Sequence, residues 1–382
     1  MTPSASNTLP SPANPSSTVP PSGNGGAGIP TEDTTHTDAI RRYYAETLQS
    51  TSDLKTGACC APEELSPRVR ALVAQVHPEV RERFYGCGAP LPPVLEGATV
   101  LDLGCGSGRD AYVLASLVGE AGRVIGVDMT PAQLEVARRH RDWHMEKFGF
   151  AQANVDFRQG FMEDLAEVGI EDASVDLVVS NCVFNLSPDK PRLFREIFRV
   201  LKPGGELLFS DVFADRRIPQ ELARDPVLLG ECLAGALYTE DLRRILDDVG
   251  CADVRQLSSS AVPLLDSEIE DRIGMVSFTS RTLRAFKLEL EDRCEDYGQV
   301  ATYLGTMEGQ PHRFDLDDHH RFETGRPERV CGNTALMLSA TRYGRHFRIT
   351  GDQSVHYGLF DCGPGSTGGS ATGPAPASAP CC

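Results

Sequence analysis

The sequence predicts an α/β fold, a doubly wound and mostly parallel sheet with helical connections. Three observations between residues 98 and 214 predict it. Short apolar runs alternate with helix-forming stretches, the first run feeds a glycine turn, and the second run ends on an acid. The first run, Thr99-Val100-Leu101-Asp102-Leu103, passes into Gly104-Cys105-Gly106-Ser107-Gly108 and then a helix from about Asp110 to Val118. Glycines there let the backbone approach a ligand closely. The spacing is G-x-G-x-G rather than the G-x-G-x-x-G of dinucleotide folds, and no G-K-[ST] follows to make a phosphate loop. The second run, Arg123–Asp128, ends on an acid suited to accepting hydrogen bonds from ribose hydroxyls. Thr130-Pro131-Ala132-Gln133 then reads as a capping box with proline in the first helical position. Val155–Gln159 and Val175–Ser180 are the third and fourth strand candidates. Leu201-Lys202-Pro203-Gly204-Gly205 reads as a turn into a fifth strand, Glu206–Val212.

Composition bounds the function. The 382 residues suit two or three packed units, and the formal charge of −17 repels phosphate backbones and anionic lipid, so nucleic acid and membrane are excluded as partners. No apolar stretch reaches the roughly 20 residues a membrane helix needs. Residues 1–30 hold seven Pro, six Ser, four Gly and three Thr, and no Lys or Arg precedes Arg41. That composition predicts a disordered segment without a secretory or basic transit signal, and hence a cytoplasmic chain. The last twenty residues, uncharged and rich in Gly, Pro, Ala and Ser, read as a flexible tail ending in Cys381 and Cys382. Twelve cysteines occur without any C-x-x-C pair, which excludes zinc-ribbon and thioredoxin-type motifs; in a reducing compartment they begin as thiols.

The glycine loop, Asp102 before it, Asp128 after it and K-P-G-G leading into a later strand together resemble the class I S-adenosylmethionine-dependent methyltransferases, whose fold is Rossmann-like. The resemblance implies a site for S-adenosylmethionine. Asp128 would hold the adenosyl ribose, Met129 would lie on the adenine side with Met162 and Glu163 flanking it, and Gly104, Cys105, Gly106 and Ser107 would follow the methionine portion. Four cysteine phrases narrow the family. Asp53-Leu54-Lys55-Thr56-Gly57-Ala58-Cys59, Tyr85-Gly86-Cys87-Gly88, Ser180-Asn181-Cys182-Val183-Phe184-Asn185-Leu186 and Gly230-Glu231-Cys232-Leu233-Ala234-Gly235-Ala236-Leu237 closely resemble those of the arsenite S-adenosylmethionine methyltransferases, over about residues 38–290. Two departures are Phe84, where the family often has a second Tyr, and Phe184 in place of an aliphatic residue. Residues 295–360 resemble the carboxy-terminal region of the longer, algal-type members.

Composition predicts the disordered segment (1–37) and the tail (363–382), and the resemblance implies a cofactor-binding domain (38–214), an arsenite-binding region completing the sheet (215–290) and a smaller C-terminal α+β domain of no derivable role (291–362). It also implies that Cys87, Cys182 and Cys232 ligate trivalent arsenic, that Cys59 resolves the thiol chemistry, and that Tyr85, Asn181 and Val183 join the cofactor site. Arsenite and methylarsenite would be the substrates. The lone pair of thiolate-bound arsenic would attack the sulfonium methyl without a general base. Methylation takes arsenic from +3 to +5, and Cys59 with Cys87 would return it to +3 by forming a disulfide, reset by thioredoxin or glutathione as thiol reductant. A monomer is expected. Two other readings remain at this stage: a methyltransferase of another small metabolite with structural cysteines, and a thiol protein that binds soft metals. Among the remaining residues, Cys60 reads as a bystander of Cys59, Cys105 as a small side chain in the loop, and Cys251, Cys294 and Cys331 as packing residues. Asp315-Leu316-Asp317-Asp318-His319-His320 reads as a solvated polar loop in preference to a metal cluster. Cys362, Cys381 and Cys382 read as incidental mobile thiols or a metalloid-delivering arm.

Overall fold

The computed structural model describes residues 67–362, apart from residues 85, 224, 226, 227, 230, 231 and 265. Expectations for residues 1–37 and 363–382, and for Cys59, Cys60, Tyr85, Cys381 and Cys382, lie outside the described residues. The main sheet runs β3-β2-β1-β4-β5-β8-β7, with a short β6 (Leu237–Tyr238) beside β5. Strands β1 (Thr99–Leu103), β2 (Arg123–Asp128), β3 (Val155–Gln159) and β4 (Val175–Asn181) are parallel, as is the β4–β5 pair. Alternate residues of these strands enter two cores, Leu101 and Val178 on one face and Val100 and Val179 on the other. Burial on both faces explains why the strands are continuously apolar. The order reverses between β1 and β4, and that switch point leaves a crevice at the strands' carboxyl ends.

Helices α1 (Arg109–Val118), α2 (Pro131–Arg139) and α3 (Lys190–Val200) cover the sheet. Gly108 opens α1 in a left-handed conformation, φ +92°, that only glycine adopts at little cost. The capping box expected at α2 does not form: Thr130 makes no side-chain cap, and instead its N–H donates to Asp128 Oδ1 at 2.8 Å. The acid closing β2 thus shapes the turn itself. In α3, Asp189 caps the amino end, and Leu193, Phe194, Ile197 and Phe198 form its buried face.

The expected turn at Lys202–Gly205 lies within one long strand, β5 (Leu201–Ala214), and a register shift between Val175 and Leu177 of β4 absorbs the extra residues. Gly204 has φ +76°, and a Cβ there would stand 2.5 Å from the Ala340 carbonyl oxygen, so glycine is needed on both counts. Two strands with no clear apolar signal, β7 (Val254–Ala261) and β8 (Phe278–Phe286), finish the sheet in antiparallel fashion.

The C-terminal region adds a three-stranded antiparallel sheet, β12-β9-β13, formed by Pro327–Arg329, Val300–Tyr303 and Phe347–Thr350. A hairpin of β10 (Arg313–Asp315) with β11 (Arg321–Glu323) and a helix α4 (Gly332–Ser339) complete it. Its own core contains Tyr303, Phe314, Phe322, Tyr343 and Phe347. Buried charge joins it to the main sheet: Arg284 of β8 donates to Glu206 of β5 at 2.6 Å, and Tyr343 donates to the same carboxylate at 2.9 Å. Arg255 of β7, fully buried, pairs with Asp253 at 2.7 Å and with Asp317 at 3.1 Å. This corrects the solvated-loop expectation for residues 315–320. Asp315, Asp318 and His319 are exposed, but Asp317 is buried as the partner of Arg255 and His320.

Candidate active site

A cleft opens at the carboxyl ends of β1 and β4, enclosing about 1070 Å³ with its open mouth included. Every cofactor candidate among the described residues lines it, as does Cys182. Gly104 must be glycine, because a Cβ would lie 2.4 Å from Val183 and force the loop off the facing wall. Asp128 Oδ2 accepts the Gly106 N–H at 2.9 Å, so the acid holds the glycine loop as well as facing the cleft. Burial pushes its carboxyl up, while the N–H groups of Thr130 and Gly106 pull it down.

Two acceptors in the cleft wall have no hydrogen-bond partner, Asp102 Oδ2 and Gln133 Oε1. Burial raises the Asp102 carboxyl, and the neighbouring charges of Asp110 and Asp128 raise it further. A buried acceptor left unpaired costs about 1–3 kcal/mol. A ligand carrying an ammonium group and hydroxyls would satisfy such acceptors, and S-adenosylmethionine carries both. These acceptors therefore fit that cofactor.

Two of the candidates that line the cleft also brace neighbouring segments. Ser107 donates to the carbonyls of Val80 and Arg83, so its hydroxyl braces the segment before β1. Asn181 accepts from the N–H groups of Cys87 and Gly88, each at 3.0 Å, and donates to the Gly88 carbonyl and to Asp110. Its amide holds the Cys87 loop against the cleft. Asp110, Thr130 and Gln133 also line the cleft. Sequence reasoning missed them because ordinary polar residues beside a glycine loop or at a helix start carry no motif.

Three of the four expected arsenic-handling cysteines converge at the rim. Cys87 and Cys182 are joined by a disulfide, S–S 2.02 Å, and the Cys232 thiol reaches the Cys182 carbonyl at 3.4 Å. All three are buried in one apolar cluster with Val212, Leu229 and Leu233. The disulfide differs from the expectation of three thiolates, and from a pairing of Cys87 with Cys59; two electrons must enter before the trio can ligate anything. Cys182 and Cys232 also hold left-handed backbone, φ 59° and 60°, where non-glycine residues are uncommon. Backbone held there costs of order 1–3 kcal/mol and gathers at functional sites. The surroundings over-determine it. Asn185 donates its amide to the Val212 carbonyl at 2.7 Å and the Cys232 carbonyl at 3.3 Å. Gly235 lets the second cysteine loop approach, since a Cβ there would stand 1.9 Å from the Asn185 carbonyl oxygen. Behind the loops, burial pushes the Asp211 carboxyl up to about 7 and the Lys190 ammonium down to about 8.

Elsewhere, Cys105 and Cys251 are buried and burial pushes both thiols up, Cys251 to about 12, which leaves them inert as expected of packing residues. Cys294, Cys331 and Cys362 form a group. Cys294 and Cys331 are buried, as packing residues are, but what the sequence did not indicate is that their sulfur atoms and that of the half-buried Cys362 lie within 4.8 Å of one another.

The chain resembles known proteins along most of its length. A family model described as a methyltransferase domain matches residues 95–250. An arsenite methyltransferase of Aquipseudomonas alcaligenes is 53% identical over 330 residues, which cover 86% of this chain and 95% of that protein. The Mus musculus arsenite methyltransferase is 42% identical over 322 residues, 83% of this chain and 84% of its own. The crystal structure of an arsenic(III) S-adenosylmethionine methyltransferase from Chlamydomonas reinhardtii is 55% identical, with a TM-score of 0.75, covering 77% of this chain and 99% of that one. With a cofactor cleft at the switch point, a three-cysteine rim beside it, and relatives matched over nearly their full lengths, this chain belongs to the arsenite methyltransferase family.

Proposed function

We propose that this chain methylates trivalent arsenic held by Cys182 and Cys232, with Cys87 as the third ligand of inorganic arsenite, using S-adenosylmethionine bound in the adjacent cleft. The observation that carries the reading is the convergence of these three cysteines on the rim, with Cys182 itself in the cleft wall. S-adenosylmethionine, when bound, supplies an electrophilic methyl group on sulfur. The chain's residues hold and aim the nucleophile. Trivalent arsenic bound to thiolates keeps one lone pair, so no general base is required. Catalysis then comes from positioning, which reaches about 7–11 kcal/mol in well-oriented systems. The left-handed backbone at Cys182 and Cys232, braced by Asn185 and Gly235, supplies that rigidity. Arsenous acid is neutral near pH 7, so a chain of charge −17 does not repel it.

The Cys87–Cys182 pair supports a role for an external thiol reductant, thioredoxin or glutathione, which would open the disulfide by exchange before arsenic enters. Cys59 would exchange with Cys87 during turnover. A monomer working in the reducing cytoplasm is the setting this chemistry favours, and among the described residues no helix is long and apolar enough to cross a membrane. The test is incubation of the reduced full chain with methyl-labelled cofactor and arsenite, followed by separation of arsenicals. Labelled methylarsenicals are expected. An unlabelled arsenic pool beside a cofactor-bound protein would point to another small substrate.

A further inference from the structure

We propose that Cys294, Cys331 and Cys362 form a second site for trivalent arsenic, separate from the catalytic cleft. The three sulfurs lie within 4.8 Å of one another, and among the described residues no carboxylate or imidazole joins the group. None of the three is in a disulfide, and none of them lines the cleft. Cys294 and Cys331 are buried, while Cys362 is half-buried and gives the site a path to solvent.

The backbone builds this trio. The Phe360 N–H donates to the Cys294 carbonyl at 2.7 Å, and Glu295 bridges to Leu359, so the segment ending at Cys362 is laid along Cys294. The Gly332 N–H donates to the Glu295 carbonyl at 2.9 Å, which brings Cys331 to the same point. Cys331 is the cap of α4, and its sulfur accepts the Thr334 N–H at 3.4 Å.

The donor set selects the ion. Structural zinc takes four ligands in a tetrahedron, whereas three sulfurs with no fourth His, Cys, Asp or Glu donor among the described residues suit a pyramidal trivalent centre. Three thiolates sharing one centre at about 2.3 Å stand roughly 3.5–4 Å apart, so small side-chain rotations close the site. Binding balances without electron transfer: arsenous acid gains three arsenic–sulfur bonds, loses three hydroxyls as water, and the three thiol protons leave with them. The choice of arsenic over another trivalent thiophile rests on the proposed function; the trio itself does not.

The test uses the full chain carrying Cys182→Ser and Cys232→Ser, which removes the catalytic pair. It is reduced, desalted anaerobically, titrated with sodium arsenite, and assayed for arsenic per chain after gel filtration. Adding Cys331→Ser or Cys362→Ser is expected to remove one equivalent in each case, and the two together no more than one, because they share one site. Serine is a preferred helix cap and Cys362 lies at the surface, so both variants keep the fold. X-ray absorption of the parent should show three sulfur neighbours at the lost equivalent. Unchanged stoichiometry in both variants would overturn the proposal. So would a zinc ion retained by the chain, not displaced by arsenite, and lost on Cys331→Ser. Methylation by the chain with its native cysteines is read separately, so a failed catalytic reading is distinguishable from a failed second site.

Discussion

Two cysteine trios occupy this molecule, and they are assembled by opposite means. At the cleft rim, Cys182 and Cys232 stand on left-handed backbone, at local energetic cost, and Cys87 stands on a loop held by the Asn181 amide. In the C-terminal region, Cys294, Cys331 and Cys362 are gathered by ordinary pairing of residues 294–296 with 357–360 and by a helix cap. Strain of 1–3 kcal/mol per residue persists where geometry must be accurate, as in methyl transfer; a site that only holds an ion has no such need. The two trios share their donor atoms and differ in how their surroundings hold them.

The largest way to break that contrast is at the rim. Cys232→Ser should reduce methylation of both arsenite and methylarsenite by at least ~100-fold, since a hydroxyl is a hard, poorly ionised donor at neutral pH. The check is the rate with each substrate under excess glutathione.

A second prediction concerns what holds the C-terminal region in place. Asp317→Asn leaves the fully buried Arg255 short of a partner and should destabilise the chain by about 3–5 kcal/mol at pH 7, read by denaturant unfolding. Burial alone would raise the Asp317 carboxyl, but the hydrogen bond and charge of His320, with Arg255 and His319, outweigh it and hold it well below its usual value. A depressed acid contributes stability that is present above its unfolded value near 3.9 and is lost as the pH falls below that. The gap between wild type and Asp317→Asn should therefore narrow under acid. A gap that widens would contradict the pairing.

A third, smaller effect sharpens the cleft. Asp128→Ala should weaken S-adenosylmethionine binding by about 1.5–3 kcal/mol while leaving arsenite affinity intact, measured by separate titrations. Part of that loss would come through the Gly106 N–H that the carboxylate holds. Equal loss of both affinities would mean general damage to the fold.

Much of the cleft side was legible in the sequence. Strands β1, β2 and β3 start and stop where the sequence places them, and the glycine loop, Asp128 and Cys182 fall at one opening, with Cys87 and Cys232 in the apolar cluster around Cys182. Local chemistry decides those positions, through burial on both sheet faces and glycine where no Cβ fits. The illegible parts depend on contacts distant in sequence. Strand β7 reads Val-Arg-Gln-Leu-Ser-Ser-Ser-Ala, and its arginine is buried only because Asp253 and Asp317 meet it there. Asp317 reads as a loop residue for the same reason. The second cysteine trio has no spacing to betray it, since its members meet through tertiary pairing alone. The Cys87–Cys182 disulfide was equally hidden, because the phrases mark both residues without saying that they touch.

In the function proposed above, the rim trio divides its labour by arsenic's valence. Inorganic arsenite offers three positions for sulfur and methylarsenite only two, so Cys182 and Cys232 are needed throughout and Cys87 only for the first. The most direct measurement is the rate on each substrate, with external thiol, for Cys87→Ser and Cys182→Ser side by side. The account predicts that Cys87→Ser loses arsenite turnover but keeps appreciable turnover of methylarsenite, while Cys182→Ser loses both. If the two variants lose the two activities in equal proportion, the account is contradicted.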